Sequence, residues 1–195
     1  MHPAAVSRGT RNSRLRELRK WLGSDAEGGL HLPHIATQPD KRFRLVGVEC
    51  DWLTFQQLVD DNSDDDATRE LRLKAALDLV QGRPFSGIPA RRYVWAEDIT
   101  QDTIKKIVHA ADELAERRLQ RADGRSALWA ATRGLHVARE AEQLWRHRFR
   151  AHALLGEDEG LENAIRALEA LLLELGCSMD DETDEVLRLL QAARR

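Results

Sequence analysis

Three groups of side chains in this 195-residue sequence have types and spacings that invite chemistry. His31 and His34 form an H-x-x-H pair, Asp60, Asn62 and Asp64 stand at the one-three-five spacing of a calcium loop, and RNSRLRELRKWLG (11–23) crowds arginine and lysine around a single acid, Glu17. A zinc site would need a further Cys, Asp or Glu at metal spacing from the histidine pair, and none stands there, so both read as ordinary loop histidines. The calcium pattern fails where Asp65 replaces the glycine of the sharp turn and Leu71 replaces the bidentate glutamate. The acidic run 60–70 is then a loop leading into a helix, with Asp65 or Asp66 as its cap and the carboxylates suiting its positive end. His136, His147 and His152 fall on different helix faces. With no nucleophile elbow, phosphate-cradling glycine loop or H-E-x-x-H, the sequence predicts no catalytic residue, no metal ligand and no cofactor. The expectation is a protein that is not an enzyme.

The basic group remains. Asn12 or Ser13 can cap a helix over 12–22 and Gly23 can end it, while Leu15, Leu18 and Leu22 recur at helical steps along one face. Arg11, Asn12, Arg14, Arg16, Arg19 and Lys20 fill the rest of the surface, a phosphate-facing pattern whose plain alternative is a solvated basic face. Beyond a turn-rich SDAEGG, the runs LHLP (30–33) and FRLVGV (43–48) predict a β-hairpin over 30–48 tipped by Lys41 and Arg42. A basic helix followed by a hairpin is the order of the last elements of a winged-helix domain, where the helix enters the major groove and the wing touches the backbone. Residues 1–49 therefore read as a partial winged-helix segment. Its supporting helices are not among the first ten residues, so DNA contact is expected only where an upstream winged-helix part is supplied.

Charge follows the same division. Residues 1–22 carry six Arg or Lys against one acid, although the whole chain has a formal net charge of −3, so the part beyond Cys50 is acidic and suits protein partners. Cys50 and Cys177 are far apart in apolar-looking surroundings and read as two reduced, packed thiols. No signal stretch and no long apolar run is present, which predicts a cytoplasmic segment without membrane contact.

From residue 50 to 195 the pattern is helical almost throughout. Trp52, Phe55, Leu58 and Val59 share one face of a short helix opened by Asp51. A second helix covers 71–81, a long one runs from Trp95 to about Gln120 with Ile99, Ile107, Val108, Ala111, Leu114 and Ala115 inward, and others lie near 126–138, 141–155, 160–175 and 183–193. GRPFSGIPARRY (82–93) is the one long irregular stretch. Short joints force antiparallel neighbours, and the pairs Ala111/Trp145, Ala127/Leu161 and Ala131/Ile165 are each 34 residues apart, the tetratricopeptide period. The predicted fold is mainly α, with tetratricopeptide-like stacked helical hairpins after the partial winged-helix element; a generic helical bundle fits the period alone as well. Trp52, Trp129 and Trp145 read as core anchors. Trp21 is less clear, and Trp95 beside Arg91, Arg92 and Tyr93 is a candidate protein-binding spot against an alternative of loop packing.

The order SRLRELRKWLG, a hairpin ending FRL, DWLTFQQLV, LRLKAALDLVQGRPF, ADELAERRLQRAD and a closing helix pair resembles the bacterial transcriptional activator domain (BTAD) family over about residues 11 to 193. Its most diagnostic stretches are the LR-K-WLG helix end and the ALDLVQGRPF joint. In that family a winged-helix, OmpR-type DNA-binding domain precedes a tetratricopeptide-like helical domain. The form is most similar to the C-terminal module of large actinobacterial proteins, some with membrane helices and a peptidoglycan-binding LysM motif upstream, so this segment could be the cytoplasmic end of a membrane-anchored chain. The resemblance implies a non-enzymatic regulatory module, the C-terminal portion of a transcriptional regulator, whose repeats dock a regulatory protein or RNA polymerase or form a homodimer. The alternative is a tetratricopeptide-like scaffold that binds a protein or peptide and touches no DNA.

Overall fold

The computed structural model describes residues 7–60, 65–87 and 94–193. Among them the regular elements are α1 (Arg8–Leu22), α2 (Asp51–Asp60), α3 (Asp66–Asp78), α4 (Glu97–Gln120), α5 (Gly124–Leu135), α6 (Glu142–Leu155), α7 (Asp158–Leu175) and α8 (Asp181–Ala193). Short 3-10 turns lie at Ile35–Thr37 and Val94–Ala96, and no strand is present among the described residues. The chain divides into two units, 1–50 and 51–195.

The helices of the larger unit start and stop for local reasons. Asp65 accepts from the backbone N–H groups of Ala67 and Thr68 at 2.9 and 3.1 Å and so caps α3. Asp123 does the same for α5 through the N–H of Ser126 at 3.1 Å. At the end of α6, Gly156 turns left-handed (φ 69°), its N–H meets the Ala153 carbonyl at 3.1 Å, and the Glu157 N–H meets the His152 carbonyl at 3.0 Å. At the end of α4, 34 residues earlier in sequence, Ala122 (φ 56°) donates to the Leu119 carbonyl at 2.9 Å and Asp123 to the Arg118 carbonyl at 2.8 Å. Even the side-chain pair recurs at this spacing: Arg118 holds Asp123 at 3.3 Å and His152 holds Glu157 at 2.9 Å.

Each of α2 to α6 packs on the next helix in the chain, α6 also holds α8, and α3 touches α5 as α4 touches α6. The predicted 34-residue pairs all face inward: Ala111, Trp145, Ala127, Leu161 and Ala131 are buried and Ile165 is packed against the core. Small residues set the distance between helices, since a Cβ on Gly134 would stand 2.5 Å from Leu144 Cδ1 and 2.8 Å from Ala111 Cβ. Phe149, Leu73, Leu77, Leu114 and Leu144 are fully buried, each contributing about 1.5–3 kcal/mol. Trp145 is buried and donates from its ring to the Arg139 carbonyl at 2.8 Å, tying down the joint before α6. Trp52 and Trp129 are half-buried against the same core. Polar ties complete it: Arg69 grips Glu113 with two bonds at 2.9 and 2.6 Å and the Val59 carbonyl at 2.6 Å, and buried Glu70 lies between Arg118 and Arg121.

Several expectations are corrected. Cys50 and Cys177 are exposed thiols: Cys177 follows the left-handed Gly176 that ends α7, so the apolar stripe of that helix does not carry through to it, and Cys50 ends an exposed stretch before α2. Ile99 is exposed because it sits at the margin of the arc that Thr103, Ile104, Ile107, Ala111 and Leu114 define on α4. Trp95 does not open that helix; it lies in the 3-10 turn before Glu97. Among the described residues no helix is long and apolar enough to cross a membrane.

The smaller unit differs from its predicted form. Its helix begins a turn early, at Arg8 rather than at 12, because Ser7 rather than Asn12 or Ser13 accepts from the Thr10 N–H at 3.2 Å. The predicted hairpin strands over 30–48 do not form. Asp25 closes a tight turn through the Gly29 N–H at 2.6 Å, and this pairs Leu30 with Ser24 instead. Pro33 lacks the N–H a strand would need at the end of LHLP. What joins the two arms is one backbone bond, Val46 N–H to the His31 carbonyl at 2.9 Å, backed by the His31 ring on the Val46 carbonyl at 2.8 Å.

Candidate nucleic-acid interface

No residue of α1 is buried, so its side chains are sorted by their bonds rather than by packing. The residues after Gly23 double back along the helix: the His31 N–H meets the Gly23 carbonyl at 3.3 Å, and Arg19 reaches over to the Leu32 carbonyl from Nε at 2.8 Å and the Pro33 carbonyl from Nη2 at 3.4 Å. This binds the returning chain to the helix and buries Leu32 beneath it. Arg19 is thus spent on holding the unit together. Lys41 is spent likewise, its Nζ donating to the Ala36 carbonyl at 3.0 Å across the loop.

The remaining polar side chains of the candidate set fall on two sides. Asn12, Arg16 and Lys20 stand with Leu15 and Arg19 on the side facing the returning chain, where they line a groove of about 740 Å³ whose other wall includes Leu30, His34, Ile35 and Phe43. On the opposite side, at helical spacing, stand Arg11, Arg14, Leu18 and Trp21. Arg11 and Arg14 are exposed there, and Trp21 is 81 % exposed. The three leucines that the sequence places on one apolar face are therefore divided: Leu15 faces the groove and Leu18 faces outward at 41 % exposure. Arg42 is exposed, its backbone N–H held by Asp40, while the neighbouring Arg44 is drawn into an ion pair with Asp40 at 2.6 Å. The earlier start of α1 also brings Arg8 into its first turn, a position that Ser7 as the cap specifies.

The predicted partner spot lies only in part among the described residues. Trp95 is 72 % exposed, and Arg91, Arg92 and Tyr93 lie outside the described residues, as do Asn62 and Asp64 of the calcium-like spacing. Three histidines, His31, His147 and His152, have structural partners. His147 bonds Asp112 at 2.9 Å across α4 and α6, which holds the Asp112 carboxyl below its ordinary range, and His31 is engaged with Val46. Among the described residues, no three His, Cys, Asp or Glu side chains converge as metal ligands would.

No protein family, curated protein or solved structure matches this chain.

Proposed function

We propose that the chain is a non-enzymatic regulatory module, the C-terminal portion of a bacterial transcriptional regulator. In this reading the smaller unit lends DNA contacts to a winged-helix domain completed by upstream helices, and the helical unit docks a regulatory protein. RNA polymerase is the partner that the family resemblance implies for some of its members. The observation that carries the reading is the outward face of α1, where Arg11 and Arg14 stand exposed at helical spacing on a helix with no buried residue. Such a face gains energy from phosphate by releasing counterions and requires no base contact. Arg19 and Lys41 act here through the loop they hold, and Arg42 is the remaining candidate contact at the loop. The recurrence of the α4–α5 joint at the α6–α7 joint, including its side-chain pair, supports tetratricopeptide-like stacking of the helical unit. Trp95, exposed on that unit and following Arg91, Arg92 and Tyr93 in the sequence, is the docking spot of this reading.

Fluorescence anisotropy with a labelled duplex tests this. The 195-residue chain binds weakly and without sequence preference at low salt, and a longer chain that supplies the upstream helices binds with a log–log salt slope of about −3 or steeper. Arg11→Glu with Arg14→Glu reduces that slope by about 2. A longer chain with no affinity for duplex DNA at low salt replaces this reading with the DNA-independent peptide-binding scaffold.

A further inference from the structure

The groove between α1 and the returning chain has a composition that phosphate recognition does not use. Its volume of about 740 Å³ is within the range of sites that take a ligand, and its apolar surface comes from Leu15, Leu30, Ile35 and Phe43. Cations stand along its helix side, and no carboxylate lines it. Of these cations Arg19 is bound to backbone carbonyls, while Arg16 and Lys20 have no ion-pair partner among the described residues. Leu30, Ile35 and Phe43 are each between about a third and a half exposed, so the walls are open to a ligand.

We infer that this groove binds an acidic amphipathic helix of a partner protein. The charge is complementary: carboxylates on the flanks of such a helix meet Arg16 and Lys20, and its leucine-type stripe covers the apolar surface at i, i+3, i+4 and i+7 spacing. DNA leaves that apolar surface wet, because a phosphate backbone has nothing to place on it. A bilayer is a broad surface and engages residues that protrude, whereas Leu15, Leu30, Ile35 and Phe43 line a concavity. A peptide helix can lay one face into a concavity that a membrane spans. This inference does not rest on DNA binding, since the groove and the Arg11–Arg14 face lie on opposite sides of α1.

The test uses the full chain and a fluorescein-labelled peptide of about 15 residues, with Leu at i, i+3, i+4 and i+7 and Glu at the flanking positions. The peptide binds, and replacing its Glu by Lys abolishes binding. Arg16→Glu with Lys20→Glu lowers affinity by about tenfold or more, and so does Phe43→Ser, while Lys105→Glu with Arg125→Glu, the same charge change on the other unit, leaves it within about twofold. Circular dichroism verifies that each variant keeps its helix content; Arg19 is left untouched because it holds the loop. The inference is overturned if the acidic peptide does not bind, if the control pair weakens it as much as the groove pair, or if phosphatidylserine vesicles bind through Arg16 and Lys20 where the peptide does not.

Discussion

At the level of single residues, this protein is governed by what a side chain has already been committed to. Gly134 shows the steric side: the missing Cβ is what lets α5 approach α4 and α6, and the atoms it would strike belong to Ala111 and the fully buried Leu144. Ala111 Cβ is fixed to its backbone and Leu144 has no room to turn. Gly134→Ala is therefore expected to lower stability by about 1–3 kcal/mol in urea unfolding, despite a helix-propensity gain of about 1 kcal/mol. Glu113 shows the electrostatic side. Its hydrogen bonds from Arg69 hold its carboxyl below the ordinary glutamate range against the opposing effect of burial. A depressed pKa in the folded state stabilises the protein above the unfolded value, near 4.3, and the contribution disappears as pH falls through the lower folded value. The difference in urea midpoint between the wild-type chain and Glu113→Gln should therefore be constant from neutral pH to about 5 and shrink on the way to 3. A difference that stayed flat to pH 3 would mean that the Arg69 contact adds nothing beyond shape.

At the level of elements, the joint between α4 and α5 and the joint between α6 and α7 use one backbone scheme with different residues at the left-handed position. Gly156 adopts φ 69° without a Cβ, whereas Ala122 adopts φ 56° with one. Ala122→Gly should raise stability and Gly156→Ala should lower it, each by about 1 kcal/mol at the urea midpoint. Opposite signs at equivalent joints are the signature of a repeated unit; equal signs would show that the two joints are not equivalent. These elements also show what was readable in the sequence. The helices of the larger unit could be read because their caps are local: Asp65 bonds the chain two and three residues on, and Asp123 bonds it three residues on. The 34-residue pairs could be read because inward positions must be apolar or small. The hairpin could not, because Asp25 closes a turn that takes Leu30 out of pairing, and that competition depends on a bond between residues four apart which alternation does not encode. The division of the α1 basic face was hidden for a related reason: Arg19 finds its partner in the Leu32 carbonyl, 13 residues away, and composition carries no sign of that.

On the scale of the whole molecule, the two units differ in how they are held. The continuous core runs from Phe55 to Leu187 and includes no residue of the smaller unit, where Leu32 is the one buried apolar side chain among the described residues. A unit held by a few backbone bonds and one buried leucine is of marginal stability on its own, since short chains bury too little surface to offset their ordering entropy. The fragment 51–195 should therefore unfold cooperatively within about 0.5 kcal/mol of the full chain, as expected of a core that is its own. Residues 1–50 alone should show weak helical circular dichroism that fades without a transition on heating. The acidic amphipathic peptide should then raise that helix signal in proportion to its occupancy, because a ligand that binds the ordered state draws the population toward it. A sharp thermal transition in the isolated 1–50 segment would instead mean that the Arg19 and Lys41 bonds suffice to fold it. Recognition by α1 would then start from a rigid surface, and the ordering cost that binding otherwise has to offset would vanish.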